Sequence, residues 1–133
     1  MPARILVADD EESVRQLLQI VLQHEGYEVV LATNGAEALL AAHNNPPDLI
    51  LLDWMMPVLD GLSVLKQLRK DAATRDIPIL MLTARQSDSD TTTALVGGAD
   101  VYLTKPFEPQ VVLSMISRLL PDEKQTAAAA REP

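Results

Sequence analysis

Acidic, hydroxyl and amino side chains stand where four of the five short apolar runs of this sequence end. Asp9 and Asp10 follow the first run, Asp53 follows the third, Thr83 ends the fourth, and Lys105 follows the fifth. Gathered carboxylates repel one another unless a cation lies between them, and an oxygen-only set without His or Cys suits a hard ion such as Mg²⁺. A carboxylate beside Mg²⁺, a hydroxyl and an ammonium group can act as a nucleophile and accept a phosphoryl group.

The apolar, partly β-branched runs predict the strands that would position these side chains. The predicted strands are residues 5–8, 27–31, 49–52, 77–82 and 101–103. Pro78 cannot donate a hydrogen bond to a neighbouring strand, so full pairing of the fourth strand should begin after it.

Helical spacing fills the intervals between the runs. The stripes predicted to be buried in the first, third and fifth helices are Val14, Leu17, Leu18 and Val21; Val64, Leu65 and Leu68; and Val112, Ile116 and Leu119. Asn34 and Glu37 indicate a capping box ahead of the second helix, and Pro109 suits the first position of the last one. Residues 88–96 are a weaker fourth helix.

Strict alternation of strands and helices predicts an α/β fold: a five-stranded parallel sheet flanked by five helices on its two faces. The continuously apolar run 49–52 is typical of a strand that is covered on both sides. The carboxyl ends of parallel strands share one edge, where ligands bind in such sheets. We expect one domain over residues 1–120 and a flexible tail or truncated linker over residues 121–133.

Composition excludes several other classes of protein and site. The 133 residues carry 11 Lys and Arg against 19 Asp and Glu, for a net charge of −8, and no cysteine. Disulfides and thiolate metal sites are therefore excluded, and a nucleic-acid groove, which needs clustered basic residues, is disfavoured. No apolar run approaches the ~20 residues that span a membrane, and no cleavable signal sequence is expected. We expect a cytoplasmic protein.

In order and spacing, these motifs resemble the receiver domain of response regulators in bacterial two-component signalling. The matching motifs, within about residues 4–120, are Asp9-Asp10, Asp53-Trp54-Met55-Met56-Pro57-Val58-Leu59-Asp60-Gly61, Thr83-Ala84, Gly98-Ala99-Asp100 and Tyr102-Leu103-Thr104-Lys105-Pro106-Phe107. The resemblance implies a flavodoxin-like (βα)5 fold with strand order 2-1-3-4-5.

The resemblance also implies a role for each residue at the metal site. Asp53 would be the phosphoacceptor, Asp10 a direct Mg²⁺ ligand and Asp9 a ligand acting largely through water. The backbone carbonyl of Met55 would be the remaining protein ligand. Phosphorylation and dephosphorylation would be self-catalysed, so the domain would be a signalling phosphoacceptor and not an enzyme with other substrates.

Around the phosphoryl group, the resemblance implies that Thr83 donates a hydrogen bond and that Lys105 forms an ion pair, while the small Ala84 leaves room. It implies a cis peptide bond before Pro106 and a switching aromatic at Tyr102. The partners would be a sensor histidine kinase or a histidine phosphotransfer protein, together with an unknown output protein or an effector domain.

A run of β-branched residues predicts which face carries the output. Thr91, Thr92 and Thr93 have poor helix propensity, so the fourth helix should be weakly held and easily biased. We therefore expect phosphorylation to switch protein contacts through the face formed by the fourth helix, the fifth strand and the fifth helix, as Tyr102 turns inward.

The lifetime of the phosphoryl group should depend on Met55 and Arg85, which lie two residues after Asp53 and Thr83. In receivers, side chains at these places control the access of water. Met55 cannot hold a water by hydrogen bonding, and Arg85 could cover the phosphoryl oxygens as a planar donor, so we expect slow self-dephosphorylation. The alternative is that Arg85 points into solvent.

Other interpretations remain for these residues. Taken singly, Asp9 and Asp10 suit the acidic start of a helix, and Asp53 suits a loop. A phosphatase with an aspartyl nucleophile would resemble an Asp-x-Asp pattern, which Asp53 lacks. A flavodoxin-like module that binds a nucleotide or a flavin would need a Gly-rich loop after the first strand. His24 and His43 have no acidic partner at a recognisable spacing and are predicted to be solvated.

Overall fold

The computed structural model describes residues 2–121, in which strands and helices alternate strictly. The strands are β1 Arg4–Ala8, β2 Glu28–Ala32, β3 Leu49–Leu52, β4 Ile79–Thr83 and β5 Val101–Thr104. The helices are α1 Glu12–His24, α2 Gly35–Asn44, α3 Gly61–Lys70, α4 Asp88–Gly97 and α5 Pro109–Leu119. The predicted succession of strand–helix pairs is confirmed. The predicted tail over residues 121–133 lies outside the described residues, except for Pro121.

The strands form one parallel sheet in the order β2-β1-β3-β4-β5, which confirms the implied topology. Ala8 at the end of β1 lies beside Ala32 of β2 and Leu52 of β3. Thr83 at the end of β4 lies beside Thr104 of β5. β1, β2 and β3 therefore end level, whereas β4 and β5 run about one side-chain pair further, because Leu52 lies beside Met81 and not beside Thr83. The residues that follow all five strands still share one edge of the sheet.

Two hydrophobic cores cover the two faces of the sheet, because successive strand side chains point in opposite directions. Leu6 and Ile50 join the core packed by α2, α3 and α4. Ile5 and Leu51 join the core packed by α1 and α5. All four residues of β3 are buried, which explains its continuously apolar sequence.

Several predicted boundaries differ from the structure by one or two residues, and one predicted stripe residue is not buried. β4 begins at Ile79, two residues later than predicted, because the Pro78 carbonyl pairs with the Ile50 N–H while Pro78 has no N–H to donate. β2 covers residues 28–32 in place of 27–31. Leu17 is 42% exposed and wrongly assigned to the core, because α1 buries Leu18 and Leu22, one turn apart, against the sheet.

Only one of the two hydrogen bonds of the capping box predicted for α2 is present. The Asn34 side chain accepts a hydrogen bond from the Glu37 N–H at 2.9 Å, as expected. The Glu37 carboxylate does not return to Asn34 but accepts from the N–H and the hydroxyl of Thr33, both at 2.7 Å. At Thr33 the Glu37 carboxylate finds two donors, the N–H and the hydroxyl. In a full capping box it would accept only from the N–H of Asn34.

His43 is exposed, as expected, but it has an acidic partner that its spacing in the sequence does not reveal. Its Nδ1 lies 3.0 Å from the Asp71 carboxylate, so the end of α2 contacts the residue that follows α3. The two residues are 28 positions apart in the chain, and the packing of α2 against α3 brings them together. Within residues 2–121, no helix has the length and apolar character required to cross a membrane.

Arg69 joins the end of α3 to three other segments. Its guanidinium donates to the Gly98 carbonyl at 2.9 Å, to the Ile77 carbonyl at 2.6 Å and to the Asp100 carboxylate at 3.0 Å. The same carboxylate oxygen of Asp100 accepts from the Ile79 N–H at 2.8 Å. One side chain therefore ties α3 to the start of β4 and to the end of α4.

We predict that Arg69→Ala lowers the free energy of unfolding by about 2–3 kcal/mol, because the Gly98 and Ile77 carbonyls lose a charged donor. Arg69→Lys should recover only part of the loss, since an ammonium group lacks the planar fork. Urea unfolding measures both. Lys66→Ala, at an exposed position of the same helix, should change stability by less than about 0.5 kcal/mol. Equal effects at Arg69 and Lys66 would contradict the anchoring role.

Candidate functional site

The loops at the carboxyl edge of the sheet bring the predicted site residues together. Asp9 and Asp10 leave β1, Asp53 leaves β3, Thr83 is the last residue of β4, and Lys105 leaves β5. The N–H of Asp9 donates to the Ala32 carbonyl, and the N–H of Asp53 donates to the Ala8 carbonyl, which extends the strand pairing by one residue. The backbone of both acids is therefore held by the sheet itself.

The Lys105 ammonium group lies among three carboxylates. It donates to Asp9 Oδ2 at 2.8 Å, to Asp53 Oδ2 at 2.9 Å and to Glu11 Oε1 at 3.1 Å. The side chains of Asp9 and Asp53 are only 4% exposed, that of Lys105 is 12% exposed, and that of Glu11 is 56% exposed. The two buried acids and Lys105 are brought together as predicted.

Glu11 is the partner of Lys105 that the sequence did not suggest. It belongs to the acidic run 9–12, which is also typical of a helix N-terminus, so its type and position gave no separate signal. The signal that would have found it is the need of Lys105 for acceptors, combined with the short distance in sequence between Glu11 and Asp9.

Backbone amides hold the second oxygen of each buried carboxylate. Asp9 Oδ1 accepts from the Glu11 N–H at 2.9 Å, and Asp53 Oδ1 accepts from the Met55 N–H at 3.1 Å. Each acid therefore has one oxygen on the backbone of its own loop and the other on Lys105. This arrangement fixes the orientation of both carboxylates towards the same ammonium group.

The pKa shifts of Asp9 and Lys105 show that negative charge is crowded at this edge of the sheet. Burial raises the pKa of Asp9, and repulsion from Asp53 adds to the rise, against hydrogen bonds from Lys105 and the Glu11 N–H. Burial opposes the charged form of Lys105, but hydrogen bonds to Asp9 and Asp53 outweigh it and raise the pKa of Lys105 above its usual value. Lys105 therefore stays charged, and one ammonium group serves more carboxylates than it can neutralise.

The carboxylates of Asp9, Asp10 and Asp53 form a cluster that fits a divalent metal ion. One oxygen from each lies within 4.8 Å of the others, with Asp9 and Asp53 buried and Asp10 exposed. An all-oxygen set that is open to water on the Asp10 side is the kind of site that Mg²⁺ uses, since Mg²⁺ retains several of its waters. The Met55 carbonyl stays a predicted ligand.

The Thr83 side chain is fully buried at the end of β4. Its hydroxyl accepts a long hydrogen bond of 3.4 Å from the Arg85 N–H. The structure thus places Thr83 at the shared edge, with its oxygen engaged by the next loop. The cis peptide bond predicted between Lys105 and Pro106 is confirmed.

Tyr102 on β5 packs partly inside the protein. Its ring contacts the core beneath α2, α3 and α4, and its hydroxyl donates to the Arg85 carbonyl at 2.7 Å. Burial raises the pKa of Tyr102, and the nearby Asp90 carboxylate contributes to the rise. Sequence reasoning has Tyr102 turning inward upon phosphorylation, whereas in this structure it already bonds the loop that follows β4.

Two neighbours hold the Arg85 side chain in this structure. Its guanidinium pairs with the Asp90 carboxylate at 3.0 and 3.2 Å, and it lies 4.2 Å from the centre of the Trp54 ring. It therefore does not extend freely into solvent. Asp90 and Trp54 determine this position, and sequence spacing alone does not identify them as partners.

The loop after Asp53 turns sharply back onto the sheet edge. The Trp54 carbonyl accepts from the Gly61 N–H at 2.8 Å, and a Cβ atom on Gly61 would stand 2.0 Å from the Asp53 carbonyl oxygen. Val58, at the tip, has φ 72°, a left-handed conformation that is strained for a β-branched residue. The tight loop is thus held closed immediately beside Asp53.

Comparison with known proteins agrees with this geometry. Residues 5–117 match the family model described as "Response regulator receiver domain". The alkaline phosphatase synthesis transcriptional regulatory protein PhoP of Bacillus subtilis (strain 168) is 48% identical over 120 residues, covering 90% of this chain and 49% of PhoP. The response regulator MprA of Mycobacterium sp. (strain KMS) is 50% identical over 127 residues, covering 92% of this chain and 54% of MprA.

Solved structures show the same relationship. The chemotaxis response regulator CheY4 of Vibrio cholerae superposes with a TM-score of 0.85 at 38% identity, covering 90% of this chain and 100% of that one. The chain spans about half the length of the curated relatives PhoP and MprA. With a family match over residues 5–117, the chain belongs to the response regulator receiver domain family of two-component systems.

Proposed function

We propose that this receiver domain accepts a phosphoryl group on Asp53. The observation that carries the proposal is the Asp53 carboxylate, buried at the carboxyl edge of the sheet with one oxygen 2.9 Å from the Lys105 ammonium group. Burial removes competing water, and the contact places positive charge where phosphoryl oxygens would gather. Asp9 and Asp10 complete an oxygen cluster around the same carboxylate.

The transfer can be written with the chain's own groups. An Asp53 oxygen forms a bond to the phosphorus of a donor, the bond from phosphorus to the donor atom breaks, and the donor leaves with that electron pair. Lys105 stabilises the phosphoryl oxygens electrostatically, and the Thr83 hydroxyl donates a hydrogen bond to one of them. Because the donor supplies the reactive bond, the domain catalyses only its own phosphorylation and dephosphorylation.

Mg²⁺ is the proposed cofactor. Asp10 and Asp53 would hold it directly, Asp9 would act largely through water, and the Met55 carbonyl would be the remaining protein ligand. When bound, Mg²⁺ supplies positive charge to the incoming phosphoryl oxygens. The crowded charge around Asp9 and Asp53 supports this proposal, since a divalent ion relieves repulsion that Lys105 alone leaves.

The proposed phosphoryl source is a sensor histidine kinase or a histidine phosphotransfer protein in the cytoplasm. PhoP is named a transcriptional regulatory protein and is about twice the length of this chain, which supports output through a further domain or a separate protein. The net charge of −8 argues against nucleic-acid binding by this chain itself.

We place the output face on α4, β5 and α5. Only Ala94 of α4 is fully buried, and the hydroxyls of Thr91 and Thr93 bond the carbonyls of Ser87 and Ser89 one turn back. Such back-bonding weakens a helix slightly. A helix with so little burial is easily shifted by events at the edge of the site.

The direct test of the phosphoacceptor is treatment with a small acyl phosphate and Mg²⁺, read by intact mass. Wild type should gain one phosphoryl group, and Asp53→Asn should gain none, since the amide is not a nucleophile. Asp76→Asn replaces an exposed acid outside the site and should label as wild type does. Similar yields on wild type and Asp53→Asn would remove Asp53 from the proposal.

Metal binding can be followed through Trp54, the single Trp of the chain, which directly follows Asp53. We predict a saturable change in its fluorescence on Mg²⁺ titration, because a divalent ion held by Asp53 and Asp10 would change the charge next to the ring. Asp10→Ala should weaken binding by roughly tenfold. Glu12→Ala, an acid outside the cluster, should titrate like wild type. A flat curve for wild type, or an unchanged one for Asp10→Ala, would place the ion elsewhere.

The output face is tested by amide hydrogen exchange with Mg²⁺, in the presence and absence of beryllofluoride, which mimics a phosphoryl group. Protection should change in α4, β5 and α5 of wild type and in none of them in Asp53→Asn. The physical reason is that α4 has the least buried side-chain support of the helices around the site. Changes confined to α2 would show that the face is wrongly placed.

A further inference from the structure

Arg85 stands at the junction of four segments around the site. Its N–H donates to the Thr83 hydroxyl at 3.4 Å, and its carbonyl accepts from Tyr102 at 2.7 Å. Its guanidinium pairs with Asp90 and stacks on Trp54. The backbone of Arg85 therefore contacts residues at the edge of the site, while its guanidinium is paired with Asp90 in the first turn of α4.

The ion pair between Arg85 and Asp90 is bidentate. Nε lies 3.2 Å from Oδ2 and Nη2 lies 3.0 Å from Oδ1, the fork geometry that fits guanidinium to carboxylate. The Asp90 N–H donates to Ser87 Oγ at 3.0 Å, which fixes the helical turn that carries the acid. The hydrogen bond from Arg85, reinforced by Ser87, lowers the pKa of Asp90, so the acid is charged at neutral pH.

A phosphoryl group is a stronger partner for the Arg85 guanidinium than the Asp90 carboxylate is. It carries about two negative charges and three acceptor oxygens, against one charge and two oxygens for a carboxylate. Trp54, on which the guanidinium rests, directly follows Asp53 in the chain, and the Arg85 N–H contacts Thr83 at the edge of the same site. Once Asp53 is phosphorylated, Asp90 and the phosphoryl oxygens compete for one cation.

We propose that Asp90 is a positioning residue that holds the Arg85 guanidinium away from the phosphoryl group and so shortens the lifetime of the phosphorylated state. This inference rests on the proposed function of Asp53. In hydrolysis, a water oxygen bonds to phosphorus, the bond from phosphorus to Asp53 breaks, and its electron pair returns to the carboxylate. Inorganic phosphate leaves and the protons of the water pass to phosphate and solvent. A guanidinium lying over the phosphoryl oxygens blocks the approach of that water.

The test compares decay of the phosphorylated protein after removal of an acyl phosphate donor, with Mg²⁺ present and intact mass as the readout. Asp90→Asn should slow decay about threefold to fivefold, the range set by the strength of a half-exposed ion pair. Asp88→Asn removes the other acid of the same helical turn but leaves the partner of Arg85 in place, and it should decay at the wild-type rate.

The effect must pass through Arg85. Arg85→Ala and the double variant Arg85→Ala/Asp90→Asn should therefore decay at the same rate. Unslowed decay in Asp90→Asn, or slowing that persists without Arg85, would overturn the inference while leaving the adduct on Asp53 intact. Absence of any adduct on wild type would overturn the proposed function, and this inference with it.

A second readout needs neither metal nor phosphate. In the unmodified protein, Asp90→Asn should shift the NMR resonance of the Trp54 indole N–H in the same direction as Arg85→Ala, because the first variant releases the stacked cation and the second removes it. Asp90→Glu should restore the wild-type position. An indole resonance that Asp90→Asn leaves unmoved would show that Asp90 does not position Arg85.

Discussion

One ammonium group shared among three carboxylates holds the functional edge of this sheet together. Lys105 joins the loop after β5 to acids in the loops after β1 and β3, at sequence separations of 96 and 52 residues for Asp9 and Asp53. Burial makes the contact strong and also makes any unpaired charge costly, so neither acid can lose Lys105 without another cation in exchange. The same excess of negative charge suits this edge to a divalent cation.

The placement of α4 depends on two arginines, one at each end of the helix. Arg69 donates to the Gly98 carbonyl at the carboxyl end, and Arg85 pairs with Asp90 in the first turn. Between them, only Ala94 is fully buried, so apolar packing does little to fix the helix. Arg69 is anchored in the body of the protein, whereas Arg85 lies at the rim of the site. Arg85 therefore links the edge of the site to the amino end of α4.

The sequence predicts the site better than its surroundings, for a physical reason. Parallel strands must end at one edge, so Asp53 and Lys105 could be placed together before any contact was known. The acceptors of Arg69 include backbone carbonyls, which carry no residue type and leave no trace in sequence. Asp90 becomes the partner of Arg85 only once the first turn of α4 folds back towards Trp54. The left-handed conformation at Val58 could not be predicted from its residue type, because a β-branched residue disfavours the positive φ that this loop imposes.

The exposure of each ion-pair partner determines which contact at this edge breaks first when negative charge is added to Asp53. Glu11 is 56% exposed and its contact with Lys105 is the longest of the three, so water can replace that contact at little cost. Asp9 is buried, and separating it from Lys105 would leave a desolvated carboxylate unpaired. Lys105 can therefore turn towards new oxygens on Asp53 by giving up Glu11 alone, a change confined to one loop. Drawing Arg85 from Asp90 requires the loss of a bidentate pair and of an anchor of α4, so it follows only when the charge on Asp53 exceeds what Lys105 and a metal ion neutralise.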